Sequence, residues 1–456
     1  MEKLEVILAL ALAVTVVSSC GLFKKYESSY QAPEGLFLED DMVISHPDTL
    51  SLASLSWREF FTDPELQKLI DTALVRNFDI KLASLRVRET EAALKSAKLG
   101  YLPTLSFGPA MNLLPDRNYS VPLSLDWRVD GFGSITNKLR EARTLNIQAQ
   151  DNLEGVQSRI VANIASIYLQ MQMLDRQLEI IDATELLWKE ILETQKALFE
   201  NGKSYSTAVN QMEASLIGIQ VKKIEIDHEI ERLEDSICLL LGHVHEKVHV
   251  SIERSAWNSY ILPDRFSTGL PASLLENRPD IRAAMRDVEA AYYVSNQALA
   301  AMLPGLSLTG LAGWAGGGQT ITDPGSFIYG AAISLFQPLF AQGKLRANRK
   351  IAQLRQEEAT EIYVQKVLEA GEEVNDALHS CHISKCKDVL LKRQVSVLDD
   401  AHSATVELMR GGKASYIEVL VAQNNLLDAQ LSEVLNLYNG TISLITLYIA
   451  LGGGVN

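Results

Sequence analysis

The chain writes much of itself twice. "YLPTLSFGP" at 101–109 returns as "MLPGLSLTG" at 302–310, 201 residues later. Upstream, "FDIKLASLRV" (78–87) faces "PDIRAAMRDV" (279–288) at the same offset, and from Arg76 to Phe107 nine of the 32 pairs are identical with no gap. Downstream the offset is 210. "LSLDWRVDGFG" (123–133) faces "ISLFQPLFAQG" (333–343), "FENGKSYS" (199–206) faces "MRGGKASY" (409–416), and "CLLLG" (238–242) faces "YIALG" (448–452). The copies are collinear, with nine extra residues in the second between about 308 and 333. Such a period is too long for a solenoid. It reads as duplication of one large unit, placed at 66–265 and 266–456.

The leader stands outside this duplication. Residues 6–17, "VILALALAVTVV", form an apolar run too short to span a bilayer and of signal-peptide length. It ends in "VVSSC". Small residues before a cysteine resemble the lipobox of bacterial lipoproteins, so 1–19 is expected to be a signal peptide, Cys20 the lipidated first residue and 20–65 an anchored N-terminal segment. The leader departs from that pattern in carrying one lysine against two glutamates, and Val17 in place of leucine. A plain signal peptide with a chance cysteine is the other reading. The remaining cysteines, Cys238, Cys381 and Cys386, are an odd set and no disulfide framework. The formal charge is −15, and no basic cluster appears along the sequence beyond "FKKY" at 23–26, which argues against nucleic acid as a partner.

Each copy opens with a helical stretch of about 22 residues. Asn77 and Asp79, and Asn277 and Asp280, place capping and acidic residues at its start. It ends at Leu102-Pro103 or Leu303-Pro304, where proline pushes the preceding residue out of the helical region and opens a strand. Alternation then takes over. Leu105, Phe107 and Met111 share one face, and so do Val121, Leu123, Leu125, Trp127 and Val129. Strands are expected at about 104–112 and 121–129, and in the second copy at about 305–314 and 327–336. Strands of this length, apolar on one side and small or polar on the other, are the signature of a membrane β-barrel; an ordinary half-buried hairpin shares the pattern. From Ser134 to Glu200 there is no proline. Leu153, Val156, Ile160, Ile164, Ile167, Met171, Leu174, Leu178 and Ile181 step by three or four, a coiled-coil seam. Lys344 to Arg410 repeats the long helix, each copy roughly 100 Å at 1.5 Å per residue. Gly202 and Gly412 then turn the chain, and shorter helices return over about 205–241 and 415–451. Four strands cannot close a barrel, and open edges are not viable in lipid, so several chains must pool them.

These features together resemble the TolC-like outer membrane efflux factors, in particular their lipoprotein branch. The markers are "WREFFTDPELQKLIDTALVRNFDI" (57–80), "ENRPDIRAA" (276–284), both Leu-Pro-x-Leu-Ser phrases, "DWRVDGFG" (126–133), "PLFAQGKLRA" (338–347) and the two Gly-Lys turns. The resemblance implies a mainly α chain with a membrane β-barrel part. As a homotrimer it would form a 12-stranded outer-membrane barrel continuous with a periplasmic α-helical barrel. It implies outer-membrane lipid around the strands, a periplasmic adaptor and an inner-membrane pump of the RND type as partners, no cofactor and no catalysis. Gly202, Lys203, Gly412 and Lys413 would then lie at the adaptor-facing periplasmic tip. Glu418 is the candidate gate carboxylate; where some relatives carry aspartate in a "Leu-Asp-Ala-Gln" step, this chain has Val421.

Other clusters weigh less. His379, His382 and Cys386 fall at i, i+3, i+7 and are good ligand types for soft or borderline metals, but a surface packing cluster accounts for them without metal. "HVHEKVH" (243–249) is weighed in the same way. A lipid-anchored coiled-coil scaffold or adhesin without a pore is the competing class. It gives no reason for apolar-faced hairpins at the same end of both halves.

Overall fold

The structure, a computed structural model, describes residues 24–27, 55–112, 118–242, 252–254, 277–317 and 325–454. Cys20 and the 243–249 histidines lie outside the described residues. In chain order the elements are α1 (Trp57–Phe60), α2 (Pro64–Arg76), α3 (Phe78–Leu99), β1 (Thr104–Phe107), β2 (Ala110–Asn112), β3 (Asn118–Val129), α4 (Ser134–Glu200), α5 (Ser206–Leu240), α6 (Pro279–Ala300), β4 (Gly305–Gly317), β5 (Ser326–Phe336), α7 (Lys344–Arg410) and α8 (Tyr416–Ala450). The two long helices have 67 residues each and the two returning helices 35 each. Among the described residues no helix is long and apolar enough to cross a membrane.

The chain divides into two compact units. The first gathers residues 83–153, 280–366 and the N-terminal stretch, and it holds the sheet. Strand order is β1-β3-β4-β5, all antiparallel, with β2 pairing β3 beyond β1. The expected strand at 104–112 is broken in two. Gly108 still donates its N–H to Pro122 O, but Pro109 has no N–H for the ladder. The other strands run slightly longer than alternation indicated, because pairing across β3 and β4 continues to Asn118 and Gly317. Register sets the geometry of this unit. Thr104 faces Asp126, Val129 faces Leu306, and Gly305 faces Phe336. All four junctions between strands and helices therefore sit at one end of the sheet. At one of them Asp130 starts α4, its carboxylate accepting from the Ile135 and Thr136 amides at 2.9 and 2.8 Å.

The second unit gathers residues 32–82, 154–279 and 367–456. Its core includes Trp57, Phe61, Leu66, Ile70, Tyr168 and Tyr448. Phe60 stacks on Tyr448 at 4.1 Å, and Tyr168 donates to Asp63 at 2.8 Å. The narrow seam expected along α4 is here a wide band. Val161, Ala165, Tyr168 and Leu169 are buried along with Ile160, Ile164 and Met171, because α1, α2 and the end of α8 crowd more than one face of the helix. The helices α1 and α2 begin inside the segment assigned to 20–65. Ser56 and Glu59 close a capping box on α1, while Asp63 caps α2 ahead of Pro64.

One joint is built twice. At the end of α5, Gly242 lies at φ +68, where a Cβ would meet Arg76 O at 2.7 Å. Beside it Asn77 Nδ2 donates to Leu240 O at 2.8 Å, and the Asn77 Oδ1 caps α3 through Asp79 N. At the end of α8, Gly452 lies at φ +92, where a Cβ would meet Asn277 C at 3.1 Å. There Arg278 Nη1 donates to Ala450 O at 3.2 Å and pairs with Glu373 at 2.7 Å. Each copy thus ties the end of its returning helix to the start of its first helix.

This joint separates two glycine substitutions of similar backbone angle. Gly202 has φ +70 and nothing within 4 Å of a built Cβ. Gly202→Ala should cost only the left-handed penalty, about 1 kcal/mol. Gly242→Ala adds a 2.7 Å approach to a backbone oxygen and should cost at least about twice that. Thermal unfolding of the two purified variants checks the order; equal melting temperatures would refute the joint.

Candidate functional site: paired turns and open sheet edges

The long helices α4 and α7 end alike. Gly202 N–H bonds Phe199 O at 2.9 Å and Lys203 N–H bonds Leu198 O at 2.8 Å; Gly412 and Lys413 repeat this on Met409 O and Leu408 O at 2.9 and 2.8 Å. Both glycines are left-handed, at φ +70 and +71. This is the Schellman closure, which satisfies carbonyls at the helix end. The turns diverge one step later. Ser415 caps α8 in a box with Glu418: Glu418 N–H reaches Ser415 Oγ at 3.4 Å, and Ser415 N–H reaches Glu418 Oε2 at 3.2 Å. The matching N-cap of α5 is Tyr205, which makes no side-chain cap and is 81% exposed. Tyr416 Oη reaches Gln211 at 3.5 Å, which brings the two turns side by side. Beneath them Ile181, Trp188, Met212, Val419 and Leu427 form one buried cluster.

The second feature is the sheet. The β1–β2 arm lies at one edge and β5 at the other, and neither has a further neighbour among the described residues. Leu105, Phe107, Phe327, Tyr329, Ile333 and Leu335 are all exposed.

Sequence patterning did not single out Arg254. It lies just past α5 and fixes the chain there. Its guanidinium holds Asp175 at 2.7 and 3.0 Å and Glu234 at 2.8 Å, and Ile252 N–H also reaches Glu234. Burial works against the charge of Arg254, and the two carboxylates outweigh it and raise its pKa. The triplet "IER" carried no periodicity that would have revealed this. The histidine–cysteine face is plainer. Cys386 Sγ lies 3.6 Å from His382 Nε2, and among the described residues no group of three or more His, Cys, Asp or Glu converges as a metal site. Burial pushes the Cys381 thiol up to about 12.

A duplicated chain with long paired helices and a sheet open at both edges is one subunit of a channel that pools its strands. The family model for outer membrane efflux proteins matches it twice, over residues 69–243 and 270–453. The chain therefore belongs to the outer membrane efflux protein family. It is 27% identical over 461 residues to the cation efflux system protein CusC of Escherichia coli O6:H1, covering 97% of each chain. It is also 27% identical over 462 residues to the solvent efflux pump outer membrane protein SrpC of Pseudomonas putida, again covering 97% of each. Among solved structures, the outer-membrane channel OprN superposes with a TM-score of 0.84 at 24% identity, over 94% of this chain and 99% of that one; this likeness speaks to the fold. As a member of that family the chain is an outer-membrane efflux channel protein.

Arg254→Ala should cost about 2 kcal/mol. Breaking a buried pair costs more, but Asp175 keeps 36% of its side chain in water and is screened. Chemical unfolding of the purified protein measures this. A loss under about 0.5 kcal/mol, the size of a neutral surface change, would show that Arg254 does not fix the segment.

Proposed function

We propose that this chain passively conducts solutes from its adaptor, driven by an RND-type pump, and that its paired turns are the adaptor-facing tip. The carrying observation is the sheet: four arms with two edges unpaired among the described residues, which only an assembly can close in lipid. Three chains supply twelve arms. Gly202, Lys203, Gly412 and Lys413 mark the tip because both long helices reverse there on the same hydrogen-bond pattern. Glu418 is the gate carboxylate of this reading. It is exposed one turn past the reversal, and while Oε2 serves the cap, Oε1 has no partner among the described residues. The chain itself catalyses nothing. Its relatives carry names that attach to cation efflux and to solvent efflux. One wall serving such different cargo leaves selection to the pump.

The reading is tested by Gly412→Trp. A left-handed glycine at a turn tolerates no indole without changing the turn. The variant should still purify as a trimer of normal single-channel conductance, while cells retain substrate and crosslinking of the adaptor at Lys413 is lost. A monomeric wild type without conductance would end the channel reading; surviving transport and crosslinking in the variant would move the tip elsewhere.

Lipid anchoring at Cys20 belongs to the same proposal, supported by the "VVSSC" leader end and by the relative SilC, named a probable outer membrane lipoprotein. Metabolic labelling with palmitate should vanish in Cys20→Ala. Undiminished labelling would place the acyl chain elsewhere.

A further inference from the structure

The chain is acidic overall, yet its cations gather where the strands meet the helices. The end of α3 supplies Lys95 and Lys98. The β3–α4 junction supplies Arg128, Lys138, Arg140 and Arg143. The start of α7 supplies Lys344, Arg346, Arg349 and Lys350. Lys24 and Lys25 join them, because Arg140 Nη1 holds Lys24 O at 3.0 Å and Tyr26 N–H reaches Tyr293 Oη at 3.4 Å. The stretches 24–27, 94–103, 126–144 and 336–350 hold twelve lysines and arginines against Glu27, Asp126, Asp130 and Glu141, a net +8 in a chain of −15. No single stretch is dense enough to stand out in the sequence. The sheet register assembles them at one end.

Three further observations say what this end faces. First, none of the twelve cations has an ion-pair carboxylate among the described residues, whereas Arg58, Arg176, Lys223, Arg254 and Arg278 each have one. Asp130 is occupied with the α4 cap and Glu141 accepts from Gln297 at 2.6 Å. Second, the polarity order is the same at three junctions. Exposed apolar residues lie on the sheet side and cations on the helix side: Tyr101 and Leu102 before Lys98, Trp127 before Lys138, and Phe336, Leu339 and Phe340 before Lys344. Leu339 and Phe340 are 92% and 86% exposed. Rings and aliphatics at the edge of the hydrocarbon, with cations one step outward, match a membrane–water interface. Third, an open cleft of about 540 Å³ between α3 and α4 is lined by Arg128 and Lys138, by Asp126 and Glu141, and by Ala97, Leu102 and Leu145. Its charges balance, so it offers an apolar slot for acyl carbons beside the belt and not a phosphate site of its own.

We propose that this end of the sheet carries a basic belt that binds the anionic phospholipid headgroups of the leaflet facing the periplasm, and so fixes how deep the channel sits. The side follows from the channel reading, on which this inference rests: the helices leave the membrane at this end.

Purified full-length trimer is tested with phosphatidylglycerol, phosphatidylcholine and inorganic phosphate, reading lipid occupancy by native mass spectrometry and thermal unfolding in parallel. Phosphatidylglycerol should bind and stabilise above the other two, and less so in high salt. Neutralising three belt cations, Lys344→Gln, Arg346→Gln and Lys350→Gln, should weaken it on the order of 100-fold, about fivefold per charge. Neutralising three unpaired cations of the second unit, Lys222→Gln, Lys387→Gln and Arg393→Gln, should leave it unchanged. A Lys344→Arg, Arg346→Lys, Lys350→Arg variant should bind as the wild type, which separates charge from folding. Equal binding of both lipids, equal stabilisation by inorganic phosphate, or equal loss in the second-unit variant would each overturn the belt. A neutralised trimer that conducts normally but has lost the lipid preference leaves the channel standing, so the two readings fail separately.

Discussion

An unpaired backbone N–H or C=O in hydrocarbon costs several kcal/mol. That penalty organises this chain. Its sheet ends at the β1–β2 arm on one side and at β5 on the other, and each edge presents a row of such groups. In water an edge can be blunted by charge or by a bulge; in lipid only another strand will do. The sheet is therefore one third of a closed wall. The pooled arms must arrive in register, and the antiparallel pairing that aligns Val129 with Leu306 and Gly305 with Phe336 puts all four strand–helix junctions at the same end of the sheet.

The second unit answers a different problem. Two 67-residue helices cannot be fixed by propensity or a single seam, because helical stability in proteins comes mostly from tertiary packing. The chain solves this with the twice-built joint. A left-handed glycine lets the end of a returning helix touch the start of the first helix of its own copy, and a side-chain donor satisfies a helix-end carbonyl there. The donor is an amide in one copy and a guanidinium in the other. The same backbone contact has been kept with two chemistries, and only Arg278 brings a charge that must be paired, by Glu373.

The long helices and their turns were legible because nothing between Ser134 and Glu200 or between Lys344 and Arg410 competes with helix, and because glycine is what a left-handed closure needs. The strands were legible through period two and the leading prolines, apart from the break at Pro109. Other features escaped for physical reasons. The wide buried band of α4 depends on what packs against it, and Tyr168 gives no local sign that Asp63, 105 residues away, will bind its hydroxyl. Arg254 and the twelve rim cations act through partners or neighbours distant in the chain, so spacing does not show them. Glu418 carries both readings at once. Its position three residues past Ser415 spells a capping box, a local role that the sequence carries beside the gate reading.

The unequal turns set an order of symmetry. Three chains present six helix reversals of one backbone shape but of two kinds by side chain, so a threefold assembly repeats only every one hundred and twenty degrees. Every second reversal is fastened by Ser415 and Glu418, and the ones between expose Tyr205. A ring of six identical subunits meeting these reversals could not use one interface six times. It would make two kinds of contact in alternation, an acidic, polar one and an aromatic one, and its own subunits would have to tolerate both.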